Sequence, residues 1–171
     1  MQLFRLTILA VLASAPAGAD EGLYPLAAGG DWVAVAHKDS LVAPPDVCVA
    51  LALGGKVGFR ADANYFQIRV MDNSWSLPPN VEGTVTISVG QWKQELDIDD
   101  NTANTVNITT TEPDISDLFD AMDKAITMTV TVGKAPPFNV SLAGSTRVTN
   151  AFRTCAGMQA SPKGSGSNPF K

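Results

Sequence analysis

Roughly every 8–12 residues from position 31 to 142, Gly, Pro, Asn or Asp interrupts the chain, and the intervening stretches are rich in Val, Thr, Ile and aromatics. Turn residues at that spacing leave room for short strands and little else, so the pattern predicts an antiparallel all-β domain. Asp31 to His37 sets Trp32, Ala34 and Ala36 against Val33 and Val35. Pro44-Pro45-Asp46 turns the chain into Val47–Leu53, and Gly54-Gly55 is a hairpin signal leading into Lys56–Arg60. Tyr65–Met71 alternates Phe66, Ile68 and Val70 with Gln67 and Arg69, and a short strand is expected to end in Trp75-Ser76-Leu77. Thr84–Val89 and Gln91–Ile98 form a hairpin about Gly90; Thr105–Thr110, Ile126–Val132 and Phe138–Leu142 complete the strands.

Two segments leave this period. Asp114–Ala125 places Ile115, Leu118, Phe119 and Met122 at helical spacing, with Pro113 just before and acids in the first turn. Gly144-Ser145 opens a second helix through Cys155, whose stripe is Val148, Ala151, Phe152 and Cys155. The expected fold is mainly β: an antiparallel β-sandwich or barrel-like domain of about eight to ten strands, with a short internal helix and a C-terminal helix.

The N-terminus reads as an export signal. Arg5 precedes the apolar run Leu6–Ala15, and Pro16-Ala17-Gly18-Ala19 is a small-residue cleavage site, with cleavage expected between Ala19 and Asp20. The run is too short for a membrane span, which takes about 20 residues. The expected organisation is therefore a signal peptide over 1–19, one β-rich domain over 20–159 and a disordered Ser/Pro/Gly/Lys tail over 160–171. In an exported chain the two cysteines, Cys48 and Cys155, are best read as a disulfide pinning the C-terminal helix to the strand that bears Cys48. A periplasmic or secreted location follows.

Charge narrows the partners. The chain has 12 Lys+Arg against 17 Asp+Glu, and removing 1–19 takes away only Arg5, leaving 11 against 17 or a net −6. Nucleic acid and anionic membrane surfaces recruit proteins through basic patches, so neither is an expected partner.

From Trp75 to Cys155 the chain resembles the invasion-associated locus B family of small periplasmic proteins. The resemblance rests on Trp75-Ser76-Leu77-Pro78-Pro79-Asn80 before a Thr/Val hairpin, and on the helix over 117–125 running into the strand over 126–132. It rests also on the closing order of strand, Gly turn and helix over 139–152. Family members carry cysteines within the sheet region, where this chain has only Cys48 and Cys155. The resemblance implies a β-rich envelope protein without catalytic residues.

No catalytic constellation emerges from the residues. His37, the single histidine, has Asp39 and Ser40 beside it, but three groups crowded into four residues do not make a nucleophile, a base and an oxyanion hole, and no G-x-S-x-G elbow exists. With one His and paired cysteines, N and S ligands for zinc are nearly absent, and no metal or cofactor is expected. Asp97-Ile98-Asp99-Asp100-Asn101 invites a calcium reading, yet an EF-hand frame would need Gly and Glu where Thr102 and Ile108 stand. Gly54-Gly55-Lys56 lacks the phosphate-loop frame. The expected function is non-enzymatic: an exported envelope protein binding a protein or other envelope macromolecule. A secreted inhibitor or immunity-type protein, presenting Leu41–Pro45 or Asp72–Asn80 as a rigid loop, is the alternative, and a small hydrolase is a distant third. Trp32, Trp75 and Trp92 are the candidates for a binding surface, with core packing the plainer role for Trp32 and Trp75.

Overall fold

A computed structural model describes residues 22–40 and 42–158. The expected signal peptide, the Ala19/Asp20 junction, Leu41 and the tail over 160–171 lie outside the described residues. Among the described residues there are eleven strands and two helices, arranged as two antiparallel sheets that do not close into a barrel.

The larger sheet is built from β1 (Gly22–Gly29), β2 (Trp32–Lys38), β3 (Val47–Ala52), β4 (Val57–Asp62), β5 (Phe66–Met71), β8 (Asp100–Asn101) and β9 (Thr105–Thr110) in the order β1-β2-β3-β4-β5-β9-β8. The smaller one runs β11-β10-β6-β7, from β6 (Thr84–Val89), β7 (Trp92–Asp97), β10 (Thr127–Val132) and β11 (Phe138–Ser141). Two of the eleven strands, β1 and β8, are not among those expected from the sequence. β1 reads GLYPLAAG, with no clear alternation, and its register shifts between Pro25 and Ala27; it persists as an edge strand because it pairs with β2. β8 is two residues long. Trp75–Leu77, by contrast, is not a strand. Its aromatic and aliphatic side chains pack on the core while its backbone remains irregular.

Helix α1 (Glu112–Met122) starts where Thr111 accepts from Asp114 N, and Pro113, inside the first turn, needs no donor there. It buries Ile115, Leu118, Phe119 and Met122. Helix α2 (Ser145–Cys155) buries Val148 and Phe152 and lies along β1, β2 and β3. Its entry is a close backbone crossing: a Cβ on Gly144 would fall 2.2 Å from the carbonyl of Gly29, and Asp31 N donates to Ala143 O at 2.9 Å. Gly144 (φ 80°) and Gly30 (φ 51°) both sit in the left-handed region at that crossing.

The core is one contiguous cluster. Trp32 stacks on Phe59 at 5.8 Å, and Phe119 meets Phe59 and Phe152 edge-on at 4.8 and 5.7 Å. The Trp32 indole N–H donates to Ser141 O at 2.8 Å, so one buried side chain bonds the larger sheet to the smaller. Cys48 and Cys155 form a disulfide with Cα atoms 6.0 Å apart, closing 107 residues and fastening the end of α2 to β3.

Candidate functional site

A half-buried antiparallel sheet turns apolar side chains inward and polar ones outward. The smaller sheet obeys this rule. β6 buries Val85, Ile87 and Val89 and turns out Thr84, Thr86 and Ser88; β10 turns out Thr127, Thr129 and Thr131; β7 turns out Lys93, Glu95 and Asp97.

The larger sheet breaks it. β2 buries Trp32, Ala34 and Ala36, yet its outward residues are Val33 and Val35; β3 buries Cys48, Ala50 and Ala52 and turns out Val47, Val49 and Leu51. None of these five belongs to the core cluster or to the partly buried side chains packed against it. Cross-strand register joins them into rows: Ala28, Val33 and Leu51 in one, Pro25, Val35 and Val49 in the next. At β4 the outward position is Gly58, where an added Cβ would sit 3.0 Å from Leu51 Cδ1 and 3.5 Å from Met71 Cε. Leu51 and Met71 therefore meet above it, carrying the aliphatic layer across to β5. Strands apolar on both sides belong to sheets covered on both sides. Here one side carries the core, and the other is a layer of half-buried aliphatic side chains outside the core cluster, apolar where an outward sheet face is ordinarily polar.

Toward β4, β5 and β9 the same face becomes polar. Arg60 Nη1 lies 2.8 Å from Asp62 Oδ2 and donates to the Tyr65 hydroxyl at 2.5 Å. Burial pushes the Asp62 carboxyl up, but the backbone N–H groups of Asn64 and Tyr65, the Tyr65 hydroxyl and the Arg60 charge together hold it below its usual value. Arg69, half-buried, stands beside Gly58 on one strand and Asn107 on the other. Its Nε and Nη2 donate to Gln67 Oε1 at 3.3 and 3.0 Å, and no carboxylate lies within 4.0 Å of it among the described residues. Burial, then the neighbouring Arg60 charge, lowers the Arg69 pKa from its ordinary value, and the charges of Tyr65 and Asp100 oppose them in part.

The segment 72–83, which links the sheets, is a clamped loop. Asp72 accepts from Ser74 N at 2.9 Å and Ser74 Oγ at 2.6 Å, and pairs with Lys56 at 3.3 Å. The Ser74 hydroxyl first, then its N–H and Lys56, holds the Asp72 carboxyl below its usual value. Asn101 accepts from Val81 N and donates to Pro78 O, both at 2.8 Å, so one side chain grips both flanks of the exposed tip Pro79-Asn80. Asn80 itself has φ 59°.

The tryptophans divide three ways. Trp32 has no exposed surface and so leaves the candidate binding surface; its ring fills the core because β2 turns it inward. Trp75, within the clamped loop, is half-buried and packs against the core. Trp92 lines a cleft of about 570 Å³ between the β6–β7 turn and α1, with Gln91, Asp117, Asp120 and Lys124 around it.

Within the acidic stretch Asp97–Asn101, Asp97 ends β7 with its side chain exposed, and Asp99 and Asp100 are engaged by β9. Asp99 accepts from Thr109 N, Asp100 from Asn107 Nδ2, and Asp100–Asn101 pair with β9. His37 Nδ1 meets both carboxylate oxygens of Asp46 at 2.9 Å, a bond that lowers the Asp46 pKa. Asp39 completes a group of three whose donor atoms lie within 4.8 Å of one another, the one such group among the described residues. Two of the three are already turned onto each other and all are open to water, so the arrangement is not a formed metal cradle. No helix among the described residues is long and apolar enough to cross a membrane. Comparison with known proteins finds no family model, no curated protein and no solved structure that matches this chain.

Proposed function

We propose that this chain is an exported, non-enzymatic domain that works by binding a partner protein, and that the contact is the outward face of the larger sheet over β1, β2 and β3. One observation carries the reading: two antiparallel sheets on one core, of which one turns outward a layer of Thr, Ser, Lys and Glu and the other a half-buried layer of Val and Leu. Export is supported by the signal-like N-terminus and by the Cys48–Cys155 disulfide, which suits an oxidising compartment. The resemblance to invasion-associated locus B proteins points to the same compartment.

The test is site-specific photo-crosslinking in producing cells, with benzoylphenylalanine at Val49 or, as a control, at Thr86 on the outward face of the smaller sheet. A protein adduct from position 49 and none from 86 is expected; adducts from 86 alone would contradict the assignment of the face. A second reading, a secreted inhibitor, is favoured by the loop over 72–83, whose tip is held rigid by Asn101 as a preorganised binding loop would be. Capture of a single enzyme from position 80, with inhibition of that enzyme by the purified protein, would establish it.

A further inference from the structure

We infer that the protein docking on this face brings a carboxylate to Arg69. The inference rests on the proposed face and names the chemistry of its partner. Two guanidiniums stand on the face, and they are not equivalent. Arg60 already has Asp62 at 2.8 Å and the Tyr65 hydroxyl. Arg69 has only the neutral oxygen of Gln67, reached by Nε and Nη2, while its Nη1 has no partner among the described residues. Asp100, whose negative charge also acts on Arg69, is not within ion-pair distance of it and accepts from Asn107.

Position makes this matter. Arg69 follows Val33, Leu51 and Gly58 along one continuous cross-strand row, and Met71, two residues on, closes over Gly58 with Leu51. A partner covering the aliphatic layer must therefore cover the edge where Arg69 lies. Removing water from a guanidinium that lacks an anion is strongly unfavourable, whereas a carboxylate meeting it in the same dry contact forms a strong charge-assisted pair. Arginine's planar fork suits such a bidentate contact. A membrane is a poorer occupant, because the described part of the face carries no Trp and has Asp62 beside Arg60.

The experiment uses the full chain, exported, with benzoylphenylalanine at Val49 and Arg69 either unchanged or replaced by Gln or Glu. Oxidised, cooperatively melting variants are compared for adduct yield. The expected result is a yield reduced several-fold by Arg69→Gln and tenfold or more by Arg69→Glu. Changing one Asp or Glu of the captured partner to Lys should restore capture by Arg69→Glu. Undiminished capture by both variants would overturn the carboxylate while leaving the face intact, as would a loss that no charge change in the partner repairs. An adduct with a second copy of the chain, or with lipid, would overturn it too. No adduct at all with Arg69 unchanged would overturn the proposed face itself.

Discussion

Cys155, in the last turn of α2, is bonded to Cys48 in the third strand of the larger sheet, so the C-terminal helix is fastened to the middle of the β1–β4 half of the domain. Cys48 is turned inward with Ala50 and Ala52, on the side opposite Val47 and Val49. The bond thus ties the core together without occupying the outward face.

Reduction should cost a large part of the stability. Closing a loop of 107 residues restricts the unfolded chain by up to about 4.7 kcal/mol in the chain-entropy model, with 2–4 kcal/mol typical of real bridges. Thermal unfolding with and without reductant, or of Cys155→Ser, should show a fall of ten degrees or so. A melting temperature indifferent to reductant, or two titratable thiols in exported protein, would contradict the bond.

Gly144→Ala should be among the most damaging small changes. The new methyl would meet the Gly29 carbonyl at 2.2 Å, at a φ of 80° that L-residues rarely adopt. A loss of roughly 1–3 kcal/mol is expected, with Gly133→Ala, where an added Cβ meets nothing within 4 Å at a similarly positive φ, costing less. Equal losses at the two positions would show that the crossing of β1 and α2 is not close.

Asn101→Ala should loosen the loop over 72–83 more than it destabilises the fold. It removes the grip on Val81 N and Pro78 O. Amide exchange should accelerate at Val81 and its neighbours, while the global unfolding free energy falls by about 1–2 kcal/mol. Unchanged exchange at Val81 would mean the loop is rigid for another reason.

Acid should weaken the protein through Asp62 and Asp72. Both carboxyls titrate below their usual range in the folded state, and an unfolded Asp titrates near about 3.9. As pH falls, the unfolded chain takes up protons first, so the contribution is complete above that value and is lost as pH drops through the folded pKa. The urea midpoint should therefore fall between pH 5 and pH 3, and by less in Asp62→Asn and Asp72→Asn. An identical fall in both variants would place the acid sensitivity elsewhere.

Much of this fold is legible in the sequence because alternation and turn residues agree. Thr84–Val89 and Thr105–Thr110 occur as read, and α1 and α2 follow their apolar stripes. β1 is not legible, because GLYPLAAG carries no period and owes its pairing to neighbours. Trp75–Leu77 misleads because a loop anchored on the core looks like a strand in composition. The face itself is half-legible. Val33 and Val35 opposite Trp32, Ala34 and Ala36 show a strand apolar on both sides, but only the layer arrangement shows that, among the described residues, one of those sides lies outside the core. The setting of Arg69 beyond Leu51 and Gly58 is a product of register across β3, β4 and β5, which no single segment encodes.

The central claim, that β3 has its core on one side only, is tested most directly by thermal unfolding of Val49→Asp beside Ala50→Asp. Ala50 is fully buried, and an aspartate there should abolish cooperative unfolding. Val49 faces outward, so Val49→Asp should stay folded and melt within a few degrees of the parent, a loss of about 1 kcal/mol. If Val49→Asp instead unfolds the protein as Ala50→Asp does, both sides of the strand are interior and the aliphatic face is not free to receive a partner.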